Sequence, residues 1–280
     1  MQFSLDKIFT TITSSPMQKG NYIEIEPSNE LKPYIRCFWG SEYGTVNTSK
    51  ILVENSLVIP DICMDIILSK NNHNICSSFC GIYDKAFSSD GNSVQLFGIR
   101  FYAWSVVLFA DKHMNGIRNT FANVNEYFFD FSNSLKDEIM SAGSIFERKE
   151  IAEKYLFSKL NNSRMNYNVM NSLYYIISNN GKATVDDLSH YCVLSKRQLE
   201  RKFLENSGVS PKQMINLVRY QLLWQECVKR NFDAGTAVEK FGYYDQSHML
   251  KEFKRYHGMS LSKAKNLVTE MSLFYNTNQS

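Results

Sequence analysis

Between residues 21 and 110 apolar positions come in short runs, separated by clusters of Asn, Ser and Gly at Lys70–Asn74 and Ser88–Ser93. Runs of four to eight residues bounded by turn formers predict strands. They fall at Tyr22–Ile25, Ile35–Trp39, Ile51–Val58, Met64–Leu68, Ser78–Ile82 and Val94–Phe101. Several strands at this spacing predict a β-rich barrel or sandwich. After Trp104 the period changes. Leu135, Ile139, Ile145, Ile151, Tyr155 and Leu156 recur at spacings near three and four, the signature of flanking helices. The polar stretch Asn161–Ser163 predicts a boundary between a domain at 1–160 and an all-helical one at 161–280. The expected class is α+β.

The helical part carries its own punctuation. Thr184 with Asp187, and Ser195 with Gln198, have the spacing at which side chains satisfy the first free N–H groups of a helix. Gly208 can close the second of these helices in the left-handed conformation. Ser210-Pro211 then opens a long helix, predicted over Lys212–Arg230. A short helix follows at Gly235–Phe241, a turn at Gly242, and a helix from Asp245 to His257 stopped by Gly258.

Residues 185–210 recur as 235–260. Leu188 answers to Val238, Tyr191 to Phe241, Leu199 to Met249, Phe203 to Phe253, Gly208 to Gly258 and Ser210 to Ser260. The shared positions are apolar or Gly, while the polar ones differ. Two copies are too few for a solenoid. Two units packed alike with different surfaces suit a reader of two neighbouring targets, as two helix-turn-helix units joined by a long helix would be.

Charge sharpens that expectation. Residues 161–280 hold 16 Lys and Arg against 10 Asp and Glu, a net of +6, which leaves −3 of the overall +3 for residues 1–160. A polyanion partner would belong to the repeat. No run approaches the ~18 apolar residues of a membrane span, and residues 1–16 lack the pattern of a secretory signal. The six Cys show no disulfide spacing, so reduced thiols in the cytoplasm are expected.

The strings DDLSHYCVLSKRQLERKFLENSGVSP and FGYYDQSHMLKEFKRYHGMSL, joined by a segment with Arg219, resemble the AraC/XylS family of bacterial transcription regulators over about 100 residues. Leu261 stands where that family usually has Pro, Cys192 where Gly is common, and Leu223 and Glu226 where Ala and Leu are usual. Upstream, PDICMDIIL and LFGIRFYAWSVVLF resemble two signatures of sensor domains from one subset of such regulators, with Ile62 in place of a Gly. The resemblance implies a sequence-specific DNA-binding regulator, usually an activator. It also implies double-stranded DNA as partner, with RNA polymerase, a small-molecule effector and a second copy of the chain as further partners. Carried over residue by residue, the family's base-contacting positions fall on Arg197, Glu200, Arg201, Gln246, Ser247, His248 and Lys251.

The residues themselves agree. Leu199 and Phe203 sit one turn apart for the core, and Arg197 and Arg201 share another face, where guanidinium groups could pair with guanine edges. Lys196, Lys202 and Lys254 suit phosphates, where charge matters more than shape. In the first domain Arg100, Trp39, Tyr102 and Trp104 are the candidates for a ligand site. The alternatives are an aromatic core and an internal ion pair of Arg100 with Asp61 or Asp65.

No catalytic residue, cofactor or metal site is expected. His73, Cys76 and Cys80 have soft-ligand spacing but no evident fourth ligand. A DNA-bound alkyltransferase would need an activated Cys beside a general base, and none of the five His adjoins a Cys. The 1–160 domain has two open readings: an effector sensor, or a ligand-free dimerisation or protein-docking module.

Overall fold

The computed structural model describes residues 5–12, 22–41, 56–71, 74–89, 95–229 and 231–269. Its strands lie in the first half. They are β1 (Tyr22–Ile25), β2 (Ile35–Ser41), β3 (Ser56–Val58), β4 (Cys63–Lys70), β5 (Ile75–Cys80), β6 (Phe87–Ser89), β7 (Gln95–Tyr102) and β8 (Phe121–Asn123). Six form one antiparallel sheet in the order β1-β2-β7-β4-β5-β8, and β3 with β6 forms a separate pair. Among the described strands the two edges, β1 and β8, do not pair, so the sheet is open where a barrel would close. The expected strand over 51–58 is described only as β3, since 51–55 lie outside the described residues, as does His73.

Strands β4 and β7 hold the centre, and their burial explains the apolar runs. All of β7 except Leu96 is buried. One face carries α2 (Asn133–Ser141) and α3 (Ile145–Lys159), which pack on β2, β4, β5 and β7. The apolar stretch that ends in Ala110 leaves the sheet after Tyr102. It folds into a buried turn and a short 3-10 helix over Val106–Leu108.

After a 3-10 turn at Asn162–Arg164 every described element is helical. These are α4 (Tyr167–Ser178), α5 (Val185–Tyr191), α6 (Lys196–Ser207), α7 (Pro211–Cys227), α8 (Ala234–Phe241), α9 (Gln246–His257) and α10 (Leu261–Thr269). A short α1 (Leu5–Ile8) begins the described chain. The capping boxes at Thr184/Asp187, Ser195/Gln198 and Ser210/Gln213 all form, and Pro211 takes the first position of α7. Gly208 and Gly258 end α6 and α9 with φ of +69° and +78°. Helix α7 stops at Cys227, three residues short of the expected Arg230.

The two halves are locked together through α7. Gln221 is fully buried although its side chain is polar. Its amide accepts from Ile12 N (2.9 Å) and donates to Ile12 O (2.8 Å) and Pro60 O (2.5 Å). One turn further, Gln225 donates to Thr10 O. Because buried backbone groups cost free energy when unpaired, Gln221→Leu should lower stability by about 1–3 kcal/mol and speed hydrogen exchange at the Ile12 amide. Unchanged exchange at Ile12 would show that the contact contributes nothing.

Candidate nucleic-acid interface

Two helices of twelve residues each, α6 and α9, begin at equivalent positions 50 apart. Each has an N-cap side chain that bonds the third amide: Ser195 to Gln198 N, and Asp245 to His248 N at 2.7 Å. Each is anchored by large apolar residues one turn apart. Leu199 and Phe203 on α6, and Met249 and Phe253 on α9, are completely buried. With one side committed to the core, the period of 3.6 sends the polar residues outward.

The opposite faces carry the sequence candidates. Lys196, Arg197, Glu200, Arg201, Gln246, Ser247, His248, Lys251 and Lys254 are all exposed, and Lys202 is half-buried. Lys196 is ion-paired with Asp186 of α5, and Arg201 lies 3.9 Å from Glu205. Both pairs are solvent-exposed and cost little to exchange for another anion. Arg197, Lys251 and Lys254 have no carboxylate within ion-pair range among the described residues. The His248 ring meets the Tyr243 ring edge-on at 5.5 Å, which orients it at the leading end of α9.

The turns before the two helices differ. The second uses Gly242 at φ +68°, whereas the first places the β-branched Val193 at φ +52°. Val193 is 89 % exposed and Tyr244 is 91 % exposed, so each of the two helices is preceded by an uncovered apolar residue.

Helix α7 positions the two units. Its 17 residues span about 26 Å at ~1.5 Å each, compared with ~34 Å between successive major-groove faces. Arg219 in its middle grips α9, donating to both oxygens of Glu252 at 2.8 and 2.9 Å and lying 4.7 Å over the Tyr243 ring. On its other flank Gly181, at φ +72°, lets the α4 turn approach so closely that a Cβ there would sit 2.6 Å from Arg219 Cβ. In the sequence Arg219 stands out only as part of the connection, and Glu252 and Tyr243 do not stand out at all. The one local signal is Glu252, a carboxylate next to the buried Phe253 on an amphipathic helix.

Two ligand candidates of the first half, Arg100 and Trp39, meet at one polar centre of the sheet, while Tyr102 and Trp104 stack on each other. The register sets Asp65 of β4 directly opposite Arg100 of β7. Arg100 Nε and Nη2 donate to the Asp65 carboxylate at 3.1 and 2.9 Å, and Nη1 lies 3.8 Å from Asp61. Trp39 Nε1 donates to the same Asp65 at 2.8 Å. The indole reaches it by lying across Gly98, where any Cβ would fall 2.0 Å from the ring. Tyr102 stacks on Trp104 at 4.2 Å, and the Trp104 indole donates to Pro33 O. Arg100 is 7 % exposed. Of the two readings of Arg100, the structure thus displays the internal ion pair, chiefly with Asp65.

The six Cys are free thiols, four of them buried. Among the described residues no three metal-ligating side chains cluster, and no helix is long and apolar enough to cross a membrane.

Residues 188–266 match a family model described as a helix-turn-helix domain, of the AraC type, which spans both units. Residues 23–123 match a domain of unknown function (DUF6597). No curated protein shows significant similarity to the chain. Two solved structures of ToxT from Vibrio cholerae are weakly similar. One is 14% identical over 76% of this chain and 92% of its own, with a TM-score of 0.40. The other, from strain O395, is 13% identical over 89% and 97%, with a TM-score of 0.39. The match over 188–266, with both units formed and capped in the structure, makes the C-terminal part of this chain an AraC-type helix-turn-helix domain, the DNA-binding module of a transcription regulator.

Proposed function

We propose that the protein is an activator that reads two neighbouring major-groove segments with α6 and α9 and responds to a small molecule through residues 1–160. The observation that carries the DNA reading is the pair of equivalent helices, each with its apolar side buried and its polar side open, joined by one rigid helix. In this reading Arg197, Glu200 and Arg201 meet bases in one segment, and Gln246, Ser247, His248 and Lys251 in the other. Lys196, Lys202 and Lys254 hold phosphates. The protein works in the cytoplasm with RNA polymerase as its further partner.

A sensor role is supported by Gln221, which ties Ile12 and Pro60 to the helix between the two readers, and by Gln225, which ties Thr10 to it. Effector contacts are assigned to Arg100, Trp39, Tyr102 and Trp104. The dimerisation reading draws on Phe146 and Phe157 of α3, 57 % and 45 % exposed, where a second copy would pack and register in sedimentation.

The test uses a site selected from random DNA by the full chain. Arg201→Ala should cost about 1–3 kcal/mol and relax base preference in one half of that site. Lys251→Ala should relax the other half, about one helical turn away. Loss of preference at the same bases in both variants would refute the two-reader arrangement.

A further inference from the structure

The two halves of the chain also meet beside α6 and α9. There Ala86 N donates to Tyr256 O at 2.8 Å and Met114 N to Glu205 O at 2.9 Å. Between these two seams lies a groove of about 170 Å³. Its first wall, from the sheet half, presents Asp84, Lys85 and Arg118. Its second wall, from α7 and α9, presents Gln213, Arg255 and Tyr256.

Three cations against one carboxylate leave this small groove with a charge of plus two. Lys85, Arg118 and Arg255 are exposed, and none of them is in an ion pair with a described residue. Arg255 instead lies 4.5 Å over the Tyr256 ring, which holds its guanidinium at the groove wall. The groove also opens on the first turns of α7, whose dipole adds positive potential. Cations on both walls repel each other while the groove is empty. A bound anion reverses the sign of that interaction and favours the arrangement in which the walls are closed.

We propose that this interdomain groove binds a compact, multiply charged anion of the phosphate-ester type and that binding clamps the sheet half to the DNA-binding half. The size excludes drug-sized ligands, which occupy roughly 300 Å³ or more. Two guanidinium groups favour phosphate oxygens, which they can bond in pairs. A phosphate of the DNA backbone has the same chemistry. It is disfavoured by position, since Arg255 belongs to the last turn of α9, whereas the base-reading candidates Gln246, Ser247 and Lys251 lie in its first half. The clamp goes beyond the function proposed above, whose effector contacts at Arg100, Trp39, Tyr102 and Trp104 do not line this groove.

Inorganic pyrophosphate is the probe, titrated calorimetrically into the full chain at constant ionic strength without DNA. Saturable binding is expected. Arg118→Gln and Arg255→Gln should each weaken it about tenfold, the worth of one charge-assisted contact. Lys263→Gln, an exposed change on α10, should leave it unaltered. Absence of saturation, wild-type affinity in either Arg variant, or equal weakening by Lys263→Gln would overturn the proposal. So would an Arg118→Gln chain that keeps its pyrophosphate affinity while its DNA salt dependence falls by about one ion, because the cation would then belong to the DNA path. Failure here leaves the two-reader arrangement standing, since that is judged on DNA by Arg201→Ala and Lys251→Ala.

Discussion

Raising salt from 50 to 200 mM should weaken the full chain's binding to its DNA site by about fortyfold. The proposed arrangement puts three cations of the two helices on phosphates: Lys196, Lys202 and Lys254. If each neutralises one phosphate, the released counterions give a slope of about −3 in a plot of log affinity against log salt. The Asp186 and Glu205 partners of Lys196 and Arg201 offer only weak competition, because exposed pairs contribute ~1 kcal/mol or less. The full chain's charge of +3 understates the effect, since the −3 of residues 1–160 is carried elsewhere in the sequence. A slope near zero in a gel-shift series would exclude α6 and α9 as a phosphate-tracking surface.

Arg100→Ala should destabilise the protein by about 3–5 kcal/mol, measured by denaturant unfolding. The side chain is buried with Asp65 and near Asp61, so its removal leaves two buried carboxylates without their cation. Burial already pushes the Asp65 carboxyl above its ordinary range, with Arg100 opposing that shift. Loss of Arg100 would therefore drive Asp65 toward its protonated form. Two further variants separate charge from shape. Arg100→Lys keeps the charge and loses the paired hydrogen bonds, so it should fall between wild type and Ala. Combining Arg100→Met with Asp65→Asn removes both charges and should recover part of the loss. A melting temperature unchanged by Arg100→Ala would show that the ion pair contributes nothing to the fold.

Much of the helical half was legible because its signals are short-range. A cap needs a hydroxyl or carboxylate and an amide three residues on, so Thr184, Ser195 and Ser210 could be read directly, as could the stops at Gly208, Gly242 and Gly258. The exposed faces of α6 and α9 followed from the apolar period, since Leu199, Phe203, Met249 and Phe253 leave only one side for the polar residues.

The sheet half was legible only where strands are continuously apolar. Phe87–Ser89 and Phe121–Asn123 look like turn sequence, yet they are β6 and β8, because their partners Ser56–Val58 and Ser78–Cys80 supply the hydrogen bonds. For Arg100 the sequence by itself left Asp61 and Asp65 equivalent. The β4–β7 register chose between them by setting Asp65 directly across the strand. The same holds for Gln221 with Ile12, 209 residues away, and for Arg219 with Glu252. Local propensity acts over a few residues and can be read from them. Strand partners and buried polar pairs are decided by which distant segments the packed chain brings within hydrogen-bond reach, so only the tertiary structure could assign them.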